Sequence, residues 1–252
     1  MRFLLITTAA IACLAMNLPS GFGQALEIGG KYWEMKPSGS GAVGKDGNSG
    51  TSFDIKNDLG YRKKDILGFN AALGQGNQII LDYLSADVSG SGRLSKPVLF
   101  TDVTFPTGMN VHSATKADML RLAYRMQSGS RGFRAGVIAG VEYLKYETDI
   151  TGNNFATASG SAKAAVPIVG AQLRFDPASL VRIELSLVGS PIDIQDTRVD
   201  YWDAEANIQL NFRPFFVGLG YRQISLDAKK KSIPLKADLK FRGPQIVAGL
   251  AF

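Results

Sequence analysis

Pro244-Gln-Ile-Val-Ala-Gly-Leu-Ala-Phe252 is the stretch on which the reading of this chain turns. Pro244, Ile246, Ala248, Leu250 and Phe252 share one parity; Gln245, Val247, Gly249 and Ala251 share the other. Successive side chains of an extended segment point to opposite sides. The segment is therefore a strand with one wholly apolar face and one small or polar face. Such a face needs either a protein core or an apolar solvent to lie against.

The same alternation continues upstream. Phe215, Val217, Leu219 and Tyr221 oppose Gly218, Gly220 and Arg222 in a ninth strand, which follows an Arg213-Pro214 turn. The eighth is the cleanest: Trp202, Ala204, Ala206, Ile208, Leu210 and Phe212 against Asp203, Glu205, Asn207, Gln209 and Asn211. Val181, Ile183, Leu185 and Leu187 mark a seventh strand. Ala165, Val169, Ala171, Leu173 and Phe175 mark a sixth, and Phe133 through Tyr143 a fifth. Leu120, Leu122, Tyr124 and Met126 oppose Arg121, Ala123 and Arg125 in the fourth. Ile79, Leu81 and Tyr83 belong to the third, Leu67, Phe69, Ala71 and Leu73 to the second, and Leu26, Ile28 and Tyr32 to the first. No segment carries a helical period.

The connections differ in length. Those after strands two, four, six and eight read as turns of a few residues, whereas those after one, three, five, seven and nine read as longer and rich in Gly, Ser, Thr, Asn, Asp or Lys. Phe133, Phe175, Phe212, Phe215 and Phe252 sit beside the short turns, and Tyr83, Tyr143, Trp202 and Tyr221 about a membrane thickness away. A soluble sandwich predicts neither feature. The reading is an all-β, closed antiparallel transmembrane β-barrel of ten strands, with eight as the alternative if the first or second strand is misread.

Ahead of the first strand, Met1-Arg2 is a basic start and Phe3 to Met16 an uncharged apolar run, with small residues around Gly23 and Ala25. This predicts a signal peptide over 1–25, cleaved after Gly23 or Ala25, and one barrel domain over 26–252. Cleavage leaves 27 basic against 22 acidic side chains and removes Cys13, the only cysteine. A disulfide framework and a thiolate nucleophile are then excluded. No nucleic-acid partner is expected, because no basic run is interleaved with aromatics.

With these marks together, the chain resembles the small Gram-negative outer-membrane β-barrel superfamily, porin-like small barrels included, over its whole mature length. The segments Phe53-Asp-Ile-Lys-Asn-Asp58-Leu-Gly60 and Thr104-Phe-Pro-Thr-Gly108 resemble members of it whose role is undefined. The resemblance implies location in the cell outer membrane, and partners in outer-membrane lipid, lipopolysaccharide, periplasmic chaperones and the barrel assembly machinery. It also implies that Ile246, Ala248, Leu250 and Phe252 act as the C-terminal assembly signal.

If the apolar faces meet lipid, the opposite parities line the lumen: Glu27, Lys31, Asp82, Arg121, Arg125, Arg134, Glu142, Arg174, Arg182, Glu184, Asp203, Glu205 and Arg222. Unpaired buried charges are costly, so these predict either a salt-bridged, packed interior or a narrow pore. Ten strands lie nearer the packed end. Arg125, Arg134, Arg174 and Arg182 would make the periplasmic end of a pore positive. Arg182 is expected to pair with Asp203 and Glu205 on the adjoining eighth strand.

No catalytic residue, metal site or cofactor is expected, and so no enzyme. Lipid A deacylases and outer-membrane phospholipases place histidine and serine two residues apart on one strand face. Here the single histidine, His112, directly precedes Ser113, which sends the two to opposite faces. Omptin proteases combine histidine with several aspartates, and Asp102 and Asp118 flank His112 only in sequence. Gly39 to Gly44 precedes no helix and reads as a surface loop, not a phosphate cradle. The functional expectation is a structural barrel or a narrow, non-specific passage for small solutes. The alternative is a surface binding or adhesion module acting through external loops Pro37–Lys63, Ser89–Asn110 and Thr148–Ser161; an outer-membrane hydrolase ranks below both.

Overall fold

The computed structural model describes residues 26–44, 50–130, 132–153, 156–194, 197–230 and 235–252. The signal segment 1–25, with its cleavage points at Gly23 and Ala25, lies outside the described residues. Ten strands form the wall: β1 (Leu26–Val43), β2 (Lys64–Leu73), β3 (Asn77–Arg93), β4 (Asn110–Gly129), β5 (Phe133–Gly152), β6 (Thr157–Ala178), β7 (Val181–Ile194), β8 (Thr197–Phe212), β9 (Phe215–Lys230) and β10 (Leu235–Ala251). Each pairs antiparallel with the next, and β1 pairs with β10 from Glu27↔Ala251 to Val43↔Leu235. The sheet is closed, so no strand edge is left to meet lipid.

Period-2 chemistry explains the wall. Leu67, Val169, Leu219 and Ile246 turn outward, with Leu67 71% exposed and Leu219 67%. Phe133, Phe175, Phe212, Phe215 and Phe252 are exposed near one end, and Tyr32, Tyr83, Tyr143, Trp202 and Tyr221 near the other. A continuous apolar belt of this extent in water would be a severe aggregation liability. Between two aromatic rings it matches a bilayer. Among the described residues no helix is long and apolar enough to cross a membrane; this chain crosses with strands.

At the end beside the phenylalanines, the strands are joined by residues 74–76, 130–132, 179–180 and 213–214. The sharp return at 74–76 requires Gly74 (φ 123°), where a Cβ would lie 2.0 Å from the Asn77 carbonyl oxygen.

The other end differs from the sequence expectation. The connections after β5, β7 and β9 are not long loops, because the ladders run on to Gly152, to Ile194↔Thr197 and to Lys230↔Leu235. β1 likewise continues through Gly39-Ser40-Gly41, and β3 and β4 stay paired to Arg93↔Asn110. Past the membrane a strand keeps its hydrogen bonds without keeping an apolar face, so alternation stops while the ladder does not. Beyond Tyr143, β5 runs a further nine residues, on the order of 30 Å of ladder at ~3.3 Å per residue. Only 44–63 and 94–109 remain as long connections.

Candidate functional site

The interior of the barrel is layered. At mid-height a charged network spans it. Arg121 on β4 donates from Nε to Glu142 on β5 (2.6 Å) and from Nη2 to Asp203 on β8 (2.7 Å) and to the Tyr201 hydroxyl (3.1 Å). Arg222 on β9 reaches both oxygens of Asp203, and its Nη2 lies 3.3 Å from Asp82 on β3. Lys31 on β1 bridges Asp82 (3.3 Å) and Glu205 (3.2 Å). Asn207 and Gln245 donate to Glu205, and the Arg222 guanidinium stands 5.8 Å from the centre of the Trp33 ring. Lys31, Asp82, Arg121, Glu142, Asp203 and Arg222 are buried, each with an opposite charge in reach. Strands β4 and β8 lie on opposite sides of the ring, so the Arg121–Asp203 contact crosses the lumen.

Toward the short turns, which outer-membrane barrels place in the periplasm, Arg182 is buried and the charges around it are partly exposed. Arg182 pairs with Glu27 (3.1 Å) and Asp176 (3.5 Å), with Glu184 at 3.9 Å; Arg174 also binds Asp176 (3.1 Å). Arg125 donates to Gln78 and Gln172. Arg134 is half-buried on β5, in register with Arg174. The expected pairing of Arg182 with Asp203 and Glu205 is not formed. Arg182 stands opposite Gln209, whereas Asp203 stands opposite Val188 and Glu205 opposite Ser186, several residues higher. A cavity of about 100 Å³, lined by Glu27, Lys31, Asp82, Arg125, Gln172 and Gln209 among others, occupies this end. It has room for about three waters at ~30 Å³ each. Asp82 Oδ1 and Gln209 Oε1 are buried without a protein partner, and water in this cavity would satisfy them.

Above the network the interior turns apolar. Met35, Ile66, Leu84, Met119, Leu144 and Ile224 face inward, and the two long connections fold down onto them. Strand Phe53–Asp54 pairs with Ser40 and Gly41 of β1, and the hairpin Val98–Phe100/Val103–Phe105 sits beside it. Phe53 and Phe100 meet with ring centres 5.8 Å apart. Both are buried, as are Ile55, Leu59, Tyr61, Val98 and Phe105. Backbone contact with the wall needs glycine: a Cβ on Gly92 would lie 2.0 Å from the Asp58 carbonyl oxygen, and one on Gly90 2.5 Å from that of Leu59. Ser113, pointing inward from β4, donates to the Leu59 carbonyl (3.1 Å). The Asp58 carboxylate accepts from the Asp54 amide and from the Ser95 amide and hydroxyl. Burial pushes the Asp58 carboxyl up, but these bonds and nearby Lys96 outweigh it and hold it below the ordinary 3.8. The segments 53–60 and 104–108, picked out in the sequence, thus meet as one external plug.

His112 is exposed on the outer face of β4, its Nδ1 3.2 Å from Ser91 Oγ. Ser113 is buried on the inner face. Asp118 accepts from Tyr83 and Ser85 on the outer wall, and Asp102 lies at the plug hairpin. These residues do not converge. Among the described residues no cluster of His, Cys, Asp or Glu could hold a metal ion.

Selecting charges alone missed part of the lumen. Trp33 and Tyr201 share the inward parity of Lys31 and Asp203, and Gln78, Gln172, Gln209 and Gln245 are buried there too. Parity was the signal for all six. Ile246, Leu250 and Phe252 stand on the lipid-facing parity, with Phe252 59% exposed and its amide bonded to the Leu26 carbonyl; Ala248 faces Gly30 of β1.

No protein-family profile matches the sequence, and no curated protein is similar to it. Solved structures are similar in fold. The outer membrane protease OmpT from Escherichia coli superposes with a TM-score of 0.52 at 10% identity, over 94% of this chain and 98% of that one. The transport unit of the autotransporter AIDA-I from Escherichia coli gives 0.41 at 10% identity over 98% and 97% of the chains. The attachment invasion locus protein Ail of Yersinia pestis gives 0.38 at 11% identity over 91% and 99%. At such identity the likeness to OmpT speaks for fold alone. The fold is a closed β-barrel like that of OmpT, and the apolar belt between two aromatic rings fits it to a bilayer.

Proposed function

We propose that this protein is a closed, non-conducting barrel whose role is structural: a membrane-anchored wall that carries an ordered extracellular crown. One observation carries the reading. The Arg121–Asp203 contact ties strands on opposite sides of the lumen, within a layer whose charges are mutually paired. A charge pair in such surroundings resists separation, since removing either partner strands the other. The apolar plug above it supports the same reading. So does the exposed, outward position of the single histidine, which leaves the interior without the histidine-bearing sets of the known outer-membrane hydrolases.

Planar-bilayer recording on refolded protein is the test. A silent bilayer is expected despite insertion verified by heat-modifiable migration. Steady ohmic steps from the wild-type chain would overturn the reading and return a narrow passage to first place.

A further inference from the structure

Just above the outer aromatic ring, the wall where the barrel closes on itself carries a concentration of positive charge. Lys36 on β1 stands directly opposite Arg242 on β10, both exposed on the outer face. Lys240 lies two residues beyond Arg242, and Lys63 immediately precedes β2. Like charges facing each other across a ladder are unfavourable. Glu34 relieves this only in part, at 3.7 Å from Lys36 and 3.0 Å from Lys63. Arg242 and Lys240 form no ion pair with any described residue. Four cations here face three acids, Glu34, Asp65 and Asp238. The β4–β5 wall at similar height is the reverse, with Asp118, Glu147 and Asp149 outweighing Lys116 and Lys145.

Height fixes what this patch can meet. Lys36 and Arg242 lie four residues beyond Tyr32 and Ile246, which belong to the lipid-facing belt. Four residues of strand rise ~13 Å, or about 10 Å along the membrane normal at a tilt of ~40°. That is the headgroup layer of the outer leaflet, and long basic side chains can bend either way within it.

We propose that the β10–β1 seam is a binding site for a phosphate-bearing lipid headgroup, with Arg242 gripping phosphate oxygens in two-pronged fashion and Lys36, Lys63 and Lys240 completing the charge balance. A bisphosphorylated glycolipid offers the two phosphates that Arg242 and Lys240, which form no ion pair with any described residue, can take up. The site rests on the outer-membrane placement of the barrel and not on its lumen being closed.

The test measures thermal unfolding and bound lipid, by native mass spectrometry, of the full barrel in detergent. The probes are bisphosphorylated lipid A, the same lipid dephosphorylated, and inorganic phosphate. The bisphosphorylated lipid is expected to raise the unfolding temperature, and the other two to leave it unchanged. Lys36→Gln with Arg242→Gln should weaken lipid binding at least about tenfold, as loss of charged hydrogen bonds predicts. Lys36→Arg should retain binding, which separates charge from folding. An equal loss in Lys116→Gln with Lys145→Gln would mean diffuse attraction and would overturn the site. An equal effect of inorganic phosphate would overturn its assignment to a lipid. Conductance plays no part here, so a conducting barrel would remove the scaffold reading and leave this one standing.

Discussion

Arg222 holds both carboxylate oxygens of Asp203, Nε to Oδ1 at 3.0 Å and Nη2 to Oδ2 at 2.7 Å, although the two residues are not register partners. Arg222 stands opposite Glu205 and Asp203 opposite Ile224. The bond is a diagonal across the β8–β9 ladder, and it leaves Asp203 Oδ2 free to accept Arg121 as well.

Asp203→Ala should therefore be the most damaging single change in the lumen. It takes the shared carboxylate from two buried guanidiniums at once, leaving Arg121 only Glu142 and Arg222 chiefly Asp82, and breaking a buried pair costs about 3–5 kcal/mol. Urea unfolding in lipid vesicles measures it. A loss below about 1 kcal/mol would mean that water reaches this layer and that the interior is wet.

Gly92→Ala tests the plug without touching the lumen charges. Its Cβ would collide with the Asp58 carbonyl, so the 53–61 segment must lift from the wall. Amide hydrogen exchange over those residues should speed up, while heat-modifiable migration persists. Unchanged exchange would show that the wall yields instead of the plug.

The plug should also respond to acid. The Asp58 carboxyl is held below 3.8, so its contribution is full above that value and is lost as pH falls through the lower folded one. Protease protection of the 53–61 segment should hold at pH 5 and fade only once pH falls below 3.8. Asp58→Asn should remove the pH dependence and weaken protection at every pH. Protection that stays flat to pH 2 in the wild type would place the anchoring elsewhere.

Phe252→Ser separates assembly from stability. The ring is 59% exposed on the lipid side, so its loss should lower the amount of barrel reaching the outer membrane while unfolding of the assembled fraction changes little. Quantitative immunoblotting of membrane fractions, beside urea unfolding, distinguishes the two. Equal losses in both would make Phe252 a packing residue and not an assembly signal.

What the sequence disclosed follows from which rule was in force at each residue. Between the aromatic rings lipid enforces period 2, so Trp202 to Phe212 could be assigned to faces residue by residue. Above the outer ring lipid no longer selects, and Gly39-Ser40-Gly41 reads as loop although it lies in the β1–β10 ladder. Lumen charges were visible by parity, but their partners were not. Arg121 and Asp203 are 82 positions apart and meet only because closure brings β4 across from β8. Arg182 failed in the opposite way: sequence neighbours suggested Asp203 and Glu205, whereas the register that starts at Ile194↔Thr197 sets it level with Gln209, within reach of Glu27. The plug was not legible: segments 53–60 and 104–108 stood out by resemblance alone and read as external loop, since nothing local says that Phe53 and Phe100 fold inward.

The polar cavity lies below the charged layer and the apolar plug above it, and this gives the barrel sidedness. The charged layer therefore has unlike surroundings on its two sides, a small polar cavity toward the short turns and packed apolar side chains on the other. A cysteine placed at Glu27, on the cavity lining, should accordingly react faster with a small charged thiol reagent in the refolded barrel than one placed at Ile66, among the packed apolar side chains.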